Sequence, residues 1–358
     1  MKFLFVGSSP DHGGAEVHFT ALAQALQGQG HAVEAMIDPR GYIAAELARA
    51  NVPLHRKRFR NVIDPCAHLR LQRAIRGFRP DALIGNFGKD YWPLVLAGRI
   101  HRVPVALFRH SVTALNPLSS RWLPRLAHSY FAVSDYARQV YADHGMDRQC
   151  VQVLHNPVDL QRYRYAAQTR AQVLAELDIP QDAIVVGYCG RMLRSKGIYT
   201  LLEASALAMA RDPRVHCLWV GEDGSGELRA AAAAMPNAQR HHFTGLVDAT
   251  ERYYSAFSML AFPSLAPETF GRVSIEAQAC GIPVLGSDIG GVPETLSPGA
   301  SGLLLPPGDA RAWKRGILAL CDPDARARMA AAGRTFVEQR FSYPVIASQL
   351  VARMQSGR

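Results

Sequence analysis

Short apolar runs and longer stretches of helical spacing alternate along this chain from one end to the other. That rhythm predicts parallel sheets covered by helices. In the first half, residues 2–7, 32–37, 82–85, 103–108 and 129–133 read as strands and 15–27 as a helix. Gly28-Gln29-Gly30 supplies a stop for that helix before the second strand. The second half repeats the pattern, with strands at 183–189, 216–220, 241–244, 259–262 and 283–286. Helices are predicted at 200–210, 227–234, 311–321 and 325–340. The turn-rich segment His155-Asn156-Pro157-Val158-Asp159 reads as the junction between two domains.

Composition agrees with two soluble domains, since 358 residues exceed what one ordinary core organises and the chain is 48% hydrophobic and 20% charged. No apolar run approaches the ~18 to 20 residues a membrane span requires. The N-terminal run stops at Gly7-Ser8-Ser9-Pro10 without a cleavage region, so it reads as a first strand and not as a leader. On this reading the chain is expected in the cytoplasm. Six scattered cysteines show no metal-ligand or redox spacing. The net charge of +10 is uneven. Residues 1–160 hold 19 Lys/Arg against 12 Asp/Glu, a balance of +7, and the remainder holds 21 against 18, or +3. Much of the excess lies among the arginines from Arg49 to Arg79. Such a face suits anionic lipid, an acidic acceptor or nucleic acid, or is simply solvated. Only Phe59 and Phe78 interleave with it, too few for base stacking, so nucleic acid is the weakest of these partners.

Four segments carry candidate chemistry. The first runs from Pro263 to Ala277 and follows a predicted strand into a predicted helix, with Glu268 and Glu276 separated by seven residues. Strand C-terminal ends are where open α/β sheets bind ligands. Carboxylates there accept hydrogen bonds from vicinal hydroxyls, and the amides around Phe270 and Gly271 can face a phosphate or a sugar. Taken alone, Glu268 is equally a loop surface charge and Glu276 a partner for a neighbouring arginine. The second segment, Gly190-Arg191-Met192-Leu193-Arg194-Ser195-Lys196-Gly197, pairs a tight turn with two cations suited to a diphosphate. In the third, Gly13 and Gly14 open the first helix and let backbone approach a phosphate. This segment lacks the spaced three-glycine dinucleotide fingerprint. The fourth, Arg109-His110-Ser111, puts His110 at a strand end.

The segment from Pro263 through Cys280-Gly281-Ile282-Pro283-Val284 to Gly290-Gly291-Val292-Pro293-Glu294 resembles the signature of the retaining glycosyltransferases of family 4, also called glycosyl transferases group 1. The match runs over roughly thirty consecutive residues. It implies the α/β GT-B fold, two Rossmann-like domains whose parallel sheets face each other across a cleft. The implied domains are an N-terminal acceptor domain, 1–158, and a C-terminal donor domain, 159–340. A C-terminal helix within 341–358 is expected to pack back toward the N-terminal domain. By the resemblance, Glu268 contacts the donor sugar, Glu276 binds the nucleotide ribose, and Arg191 and Lys196 hold the diphosphate. Gly13 and Gly14 match the family's N-terminal loop, and Leu246 falls in the segment that meets the base. His110 matches the active-site histidine.

The resemblance further implies transfer of a hexose-like unit from a nucleoside diphosphate sugar, a co-substrate, with retention and without a metal or other cofactor. The expected acceptor is a glycan or lipid-linked glycan of polysaccharide or lipopolysaccharide assembly, met at the inner face of an anionic membrane. A sugar-nucleotide 2-epimerase of the same fold and a non-catalytic nucleotide-sugar-binding subunit are the alternatives.

Overall fold

The computed structural model describes residues 1–356 and divides into two compact units. One spans Met1–Pro157 and takes in the chain again from Phe341; the other spans Val158–Arg340. The final two residues of the expected C-terminal segment lie outside the described residues.

The N-terminal unit runs β1 (Lys2–Gly7), α1 (Gly14–Gly28), β2 (Ala32–Ile37), α2 (Tyr42–Arg49), β3 (Leu54–Arg56), α3 (Pro65–Phe78), β4 (Ala82–Gly85), α4 (Gly88–His101), β5 (Val105–Arg109), α5 (Pro117–Leu126), β6 (Ser129–Ala132), α6 (Asp135–Asp143) and β7 (Val151–Val153). Its seven strands pair in parallel in the order β3-β2-β1-β4-β5-β6-β7. Consecutive strands run outward in both directions from β1 and β4, so the switch point of this sheet lies between those two strands. The helices α3, α4, α5 and α6 bury Leu71, Leu94, Leu123 and Tyr141 on one face, whereas α1 and α2 bury Phe19, Leu26 and Leu47 on the other. Local chemistry starts several of these helices. Asp64 caps α3 by accepting from the Ala67 amide at 3.1 Å, with Pro65 in the first turn, and Asn116 and Ser134 cap α5 and α6.

The C-terminal unit runs α7 (Ala167–Glu176), β8 (Ile184–Cys189), α8 (Ile198–Met209), β9 (Val215–Val220), α9 (Glu227–Ala233), β10 (His241–Gly245), α10 (Glu251–Tyr254), β11 (Met259–Phe262), α11 (Arg272–Ala279), β12 (Val284–Ser287), β13 (Gly302–Leu305), α12 (Ala310–Ala319) and α13 (Pro323–Arg340). Six parallel strands take the order β10-β9-β8-β11-β12-β13, which puts the switch point between β8 and β11. A last helix, α14 (Tyr343–Gln355), returns to the N-terminal unit and packs Ile346, Ala347 and Leu350 into the core beside α1.

The strands read from sequence at 2–7, 32–37, 82–85 and 259–262 have those same bounds in the structure. The one at 103–108 instead begins at Val105. Val103 donates its amide to the Gly98 carbonyl at the end of α4, which holds it in the helix terminus. Helix α4 escaped the pattern because it is buried over much of its surface and contains Pro93.

Candidate active site

Each switch point gathers residues singled out from the sequence. In the C-terminal unit, the loop after β8 and the loop after β11 are stitched together by backbone. The Ser195 carbonyl accepts from the amides of Leu265 and Ala266 at 2.9 and 3.0 Å. Gly197 has φ +70°, and a Cβ there would lie 1.9 Å from the Pro263 carbonyl oxygen, so only glycine permits this approach. The result brings the Lys196 ammonium to 2.5 Å from Glu268 Oε1, which also accepts from the Ser264 hydroxyl at 2.6 Å. Both partners remain partly open, with side-chain exposures of 31% and 19%.

A third loop supports Glu268 from behind. The Gly291 amide donates to its carbonyl at 2.8 Å, and a Cβ on Gly290 would come within 2.6 Å of the same oxygen. This explains why the glycine pair after β12 belongs to one continuous motif with Glu268, since β11 and β12 are neighbours in the sheet.

Glu276 lies on α11 and is buried. Its Oε2 accepts from the Tyr254 hydroxyl at 2.8 Å and its Oε1 from Arg272 at 3.2 Å. The Arg272 pairing is the local i, i+4 ion pair that helix geometry allows. Burial pushes the nearby Cys189 thiol up to about 12, with the Glu276 charge adding to it, so Cys189 stays protonated. Arg191 exposes its side chain, while its carbonyl accepts from the Tyr188 hydroxyl at 2.8 Å. Phe270 is buried and Gly271, at φ +130°, caps α11. Leu246 stands beyond β10 with 78% exposure. Thus Lys196 and Glu268 meet directly, whereas Glu276 has a separate set of partners.

In the N-terminal unit, Gly13 caps α1 and Gly14 begins it. Glu16, one turn on, accepts from the Ser9 hydroxyl at 2.6 Å and ties the loop after β1 to the helix. Beneath that loop, the buried Asp90 carboxyl accepts from the Ser8 amide at 3.0 Å and lies 2.5 Å from the Ser8 hydroxyl. Burial raises Asp90 to about 7 against this hydrogen bonding.

His110 follows β5, and its segment is held by the Tyr91 hydroxyl on the Phe108 carbonyl at 2.6 Å and the Tyr141 hydroxyl on the Arg109 carbonyl at 2.7 Å. Its neighbours were not singled out as a group from sequence. Asn86, at the end of β4, puts its amide nitrogen 3.3 Å from His110 Nε2, 2.9 Å from His18 Nδ1 and 3.3 Å from the Ala15 carbonyl. The two imidazole rings lie 4.5 Å apart. Asn86 and His18 fall outside the four segments that carry candidate chemistry in the sequence, because the three residues stand on different elements and share no spacing. The available signal was the position of Asn86 and His110 after consecutive strands, with His18 in the helix that the Gly-Gly turn opens.

Among the described residues, no three His, Cys, Asp or Glu side chains converge as metal ligands. No helix among them is long and apolar enough to cross a membrane.

Residues 12–162 match the model described as Glycosyltransferase Family 4, and residues 183–322 match that of Glycosyl transferases group 1. The D-inositol 3-phosphate glycosyltransferase of Streptomyces bingchenggensis is 33% identical over 220 residues, 58% of this chain and 48% of that protein. Its counterpart in Salinispora tropica is 35% identical over 211 residues, 54% and 43% of the two chains. The chain therefore spans about half the length of the curated relatives it matches. The crystal structure of Anabaena HepE in complex with UDP superimposes with a TM-score of 0.84 at 23% identity, covering 98% of this chain and 99% of that one. A glycosyltransferase from Rickettsia africae gives 0.86 at 19% identity over 99% and 98%. With two parallel sheets in this arrangement and both family models matched in order, the chain belongs to the family 4 glycosyltransferases, glycosyl transferases group 1, with the GT-B fold.

Proposed function

We propose that this chain moves a hexose-like sugar from a nucleoside diphosphate sugar to an acceptor hydroxyl, with retention at the anomeric carbon. The observation that carries this reading is the convergence of Lys196, Glu268 and Ser264 at the β8/β11 switch point, with Glu276 on the helix that follows. A cation and a carboxylate that are both partly open to solvent form an exchangeable pair. A diphosphate can take the ammonium while sugar hydroxyls take the carboxylate. Arg191 adds a second cation for the diphosphate, Glu276 serves the ribose, and Leu246 and the amides near Phe270 and Gly271 contact the remainder of the donor. In the N-terminal unit, the Gly13 and Gly14 backbone and the His110 ring hold substrate atoms. Structures of HepE with UDP and with UDP-glucose support a uridine donor.

In the reaction proposed, the acceptor oxygen bonds to the anomeric carbon on the face that the diphosphate leaves. The bond from that carbon to the diphosphate oxygen breaks, and the acceptor proton passes to the departing diphosphate. Arg191 and Lys196 stabilise the charge that develops there.

The acceptor is proposed to be a glycan or lipid-linked glycan of polysaccharide or lipopolysaccharide assembly, presented at an anionic membrane face. Residues 65–126 hold ten Lys/Arg and two Asp, of which Asp90 is buried. The outer surface of α3, α4 and α5 interleaves exposed Arg70, Arg73, Arg76, Arg99 and Arg121 with exposed Leu69, Leu96, Ile100 and Trp122. Cations beside apolar side chains suit a bilayer interface. A cavity of about 600 Å³ lined in part by Arg121, Arg125 and His144 suits a phosphorylated acceptor group.

The test is a panel of UDP-, GDP-, ADP- and TDP-sugars assayed for binding and slow hydrolysis. Glu276→Ala should weaken binding of the free nucleotide, and Glu268→Ala should mainly impair the intact donor. Parent-like binding and turnover in both variants would refute the site assignment. For the membrane face, sedimentation with anionic vesicles at low salt should exceed that with zwitterionic vesicles, and R70E/R73E/R76E should remove the difference.

A further inference from the structure

We infer that Tyr254 is a positioning residue for nucleotide binding, whose hydroxyl fixes the Glu276 carboxylate in the orientation that receives the ribose. The inference rests on the reading above in which Glu276 serves the ribose.

The last torsion of a glutamate side chain has no sharp preference, so the surroundings must set the plane of its carboxylate. At Glu276 a side chain donates to each oxygen. Oε1 accepts from Arg272 at 3.2 Å, and Oε2 accepts from the Tyr254 hydroxyl at 2.8 Å. The two donors differ in setting. Arg272 stands one turn back on the same helix and keeps 14% side-chain exposure. Tyr254 belongs to α10, which precedes β11 as α11 follows it, and it has no exposed surface. A side chain so enclosed does not meet a ligand and acts through its partner. Among the described residues, Tyr254 is the one side chain that donates to Oε2.

The phenol is itself well fixed. The rings of Tyr163 and Phe257 meet it edge to face, with centroids 5.7 and 5.6 Å away. Burial first, then Cys189 and Glu276 beside it, raises Tyr254 well above the usual range of a phenol, so it stays protonated. It therefore has one proton to give. Cys189 is the other neighbour that could draw it. Burial pushes that thiol up to about 12, and a neutral sulfur is a weak acceptor. A carboxylate paired with Arg272 is the stronger one, so the proton goes to Glu276. Held in this way, the carboxylate is ordered before the nucleotide arrives, and binding does not have to supply that order.

Calorimetric titration of the full chain with UDP, GDP, ADP and TDP selects the nucleotide that binds most tightly, which is then used throughout. Tyr254→Phe keeps the ring and removes only the hydroxyl. It is expected to weaken binding by about tenfold, as for loss of one hydrogen bond to a charged group. In Glu276→Ala no carboxylate remains to be oriented, so adding Tyr254→Phe should change the affinity by less than about twofold. An analogue of the nucleotide whose ribose lacks both hydroxyls should bind the parent and Tyr254→Phe alike. A merely structural role would instead give the same loss in all three titrations. Parent-like affinity in Tyr254→Phe overturns the proposal, and so does an equal loss with the analogue or in the Glu276→Ala background. Parent-like affinity in Glu276→Ala, or a parent that binds none of the four nucleotides, defeats the ribose reading itself and the proposal with it.

Discussion

The two units place the loop after one central strand against a glycine in the same way, yet furnish their switch points with opposite chemistry. In the C-terminal unit, Gly197 at φ +70° lets the Pro263 carbonyl approach, and in the N-terminal unit Gly41 at φ +86° does so for Pro10. A Cβ on either glycine would stand 1.9 Å from the carbonyl oxygen. Each glycine caps the helix that follows it, α8 or α2. Above this shared scaffold the C-terminal unit sets charged pairs, Lys196 with Glu268 and Arg272 with Glu276. The N-terminal unit sets the Asn86 amide between two imidazoles. A partly exposed ion pair such as Lys196–Glu268 can exchange partners, which suits a site that must accept and release a charged ligand.

Substitutions at the two sites should separate them by size of effect. Lys196→Ala is expected to lower donor turnover by about 10² to 10³, as for loss of a group that stabilises developing charge. His110→Gln is expected to cost less, about tenfold, as for loss of one neutral hydrogen bond. Steady-state hydrolysis assays on both would break the comparison if the order came out reversed.

The shared scaffold is tested by Gly197→Ala and Gly41→Ala, each expected to destabilise its own unit by about 3 kcal/mol through clash and left-handed strain. Urea denaturation followed by hydrogen exchange would assign each loss to a unit. Tolerance of either alanine would mean that the two loops are not held alike.

The units also differ in their response to pH. Burial raises Asp90 from 3.8 to about 7, against Ser8 hydrogen bonds and the Lys89 charge. Its contribution is therefore full below about pH 4 and is lost as pH rises to about 7. In the C-terminal unit, burial first and His242 second lower His216 from 6.5 to about 4, with Arg240 acting in the same sense and Asp182 opposing. That contribution is full above pH 6.5 and is lost as pH falls toward 4. Relative to the parent, Asp90→Asn should thus fare better as pH rises from 4 to 7, and His216→Gln better as it falls from 6.5 to 4. Paired denaturation curves across that range should show slopes of opposite sign.

Much of the C-terminal site was legible in the chain because its parts are local. Glu268, the helix carrying Glu276 and the Gly290-Gly291 pair follow two consecutive strands, β11 and β12, that are also neighbours in the sheet. The Arg272–Glu276 pair is one helical turn. Even so, the meeting of Lys196 with Glu268 spans 72 residues and depends on β8 lying beside β11. The N-terminal hub was not legible in this way. Asn86 lies 68 residues from His18 and 24 from His110, and of the three only His110 stands out in the sequence.

Apolar runs, helical spacing and turn residues therefore determined most of the strands, several of the helices and that the sheets are parallel, since each of these is set by local burial and backbone preference. Strand order is a different matter: it depends on which helix layers pack best over the whole sheet, and no local pattern encodes that choice. Because parallel strands end at the same edge, that order alone decided which loops meet, and so which side chains face one another.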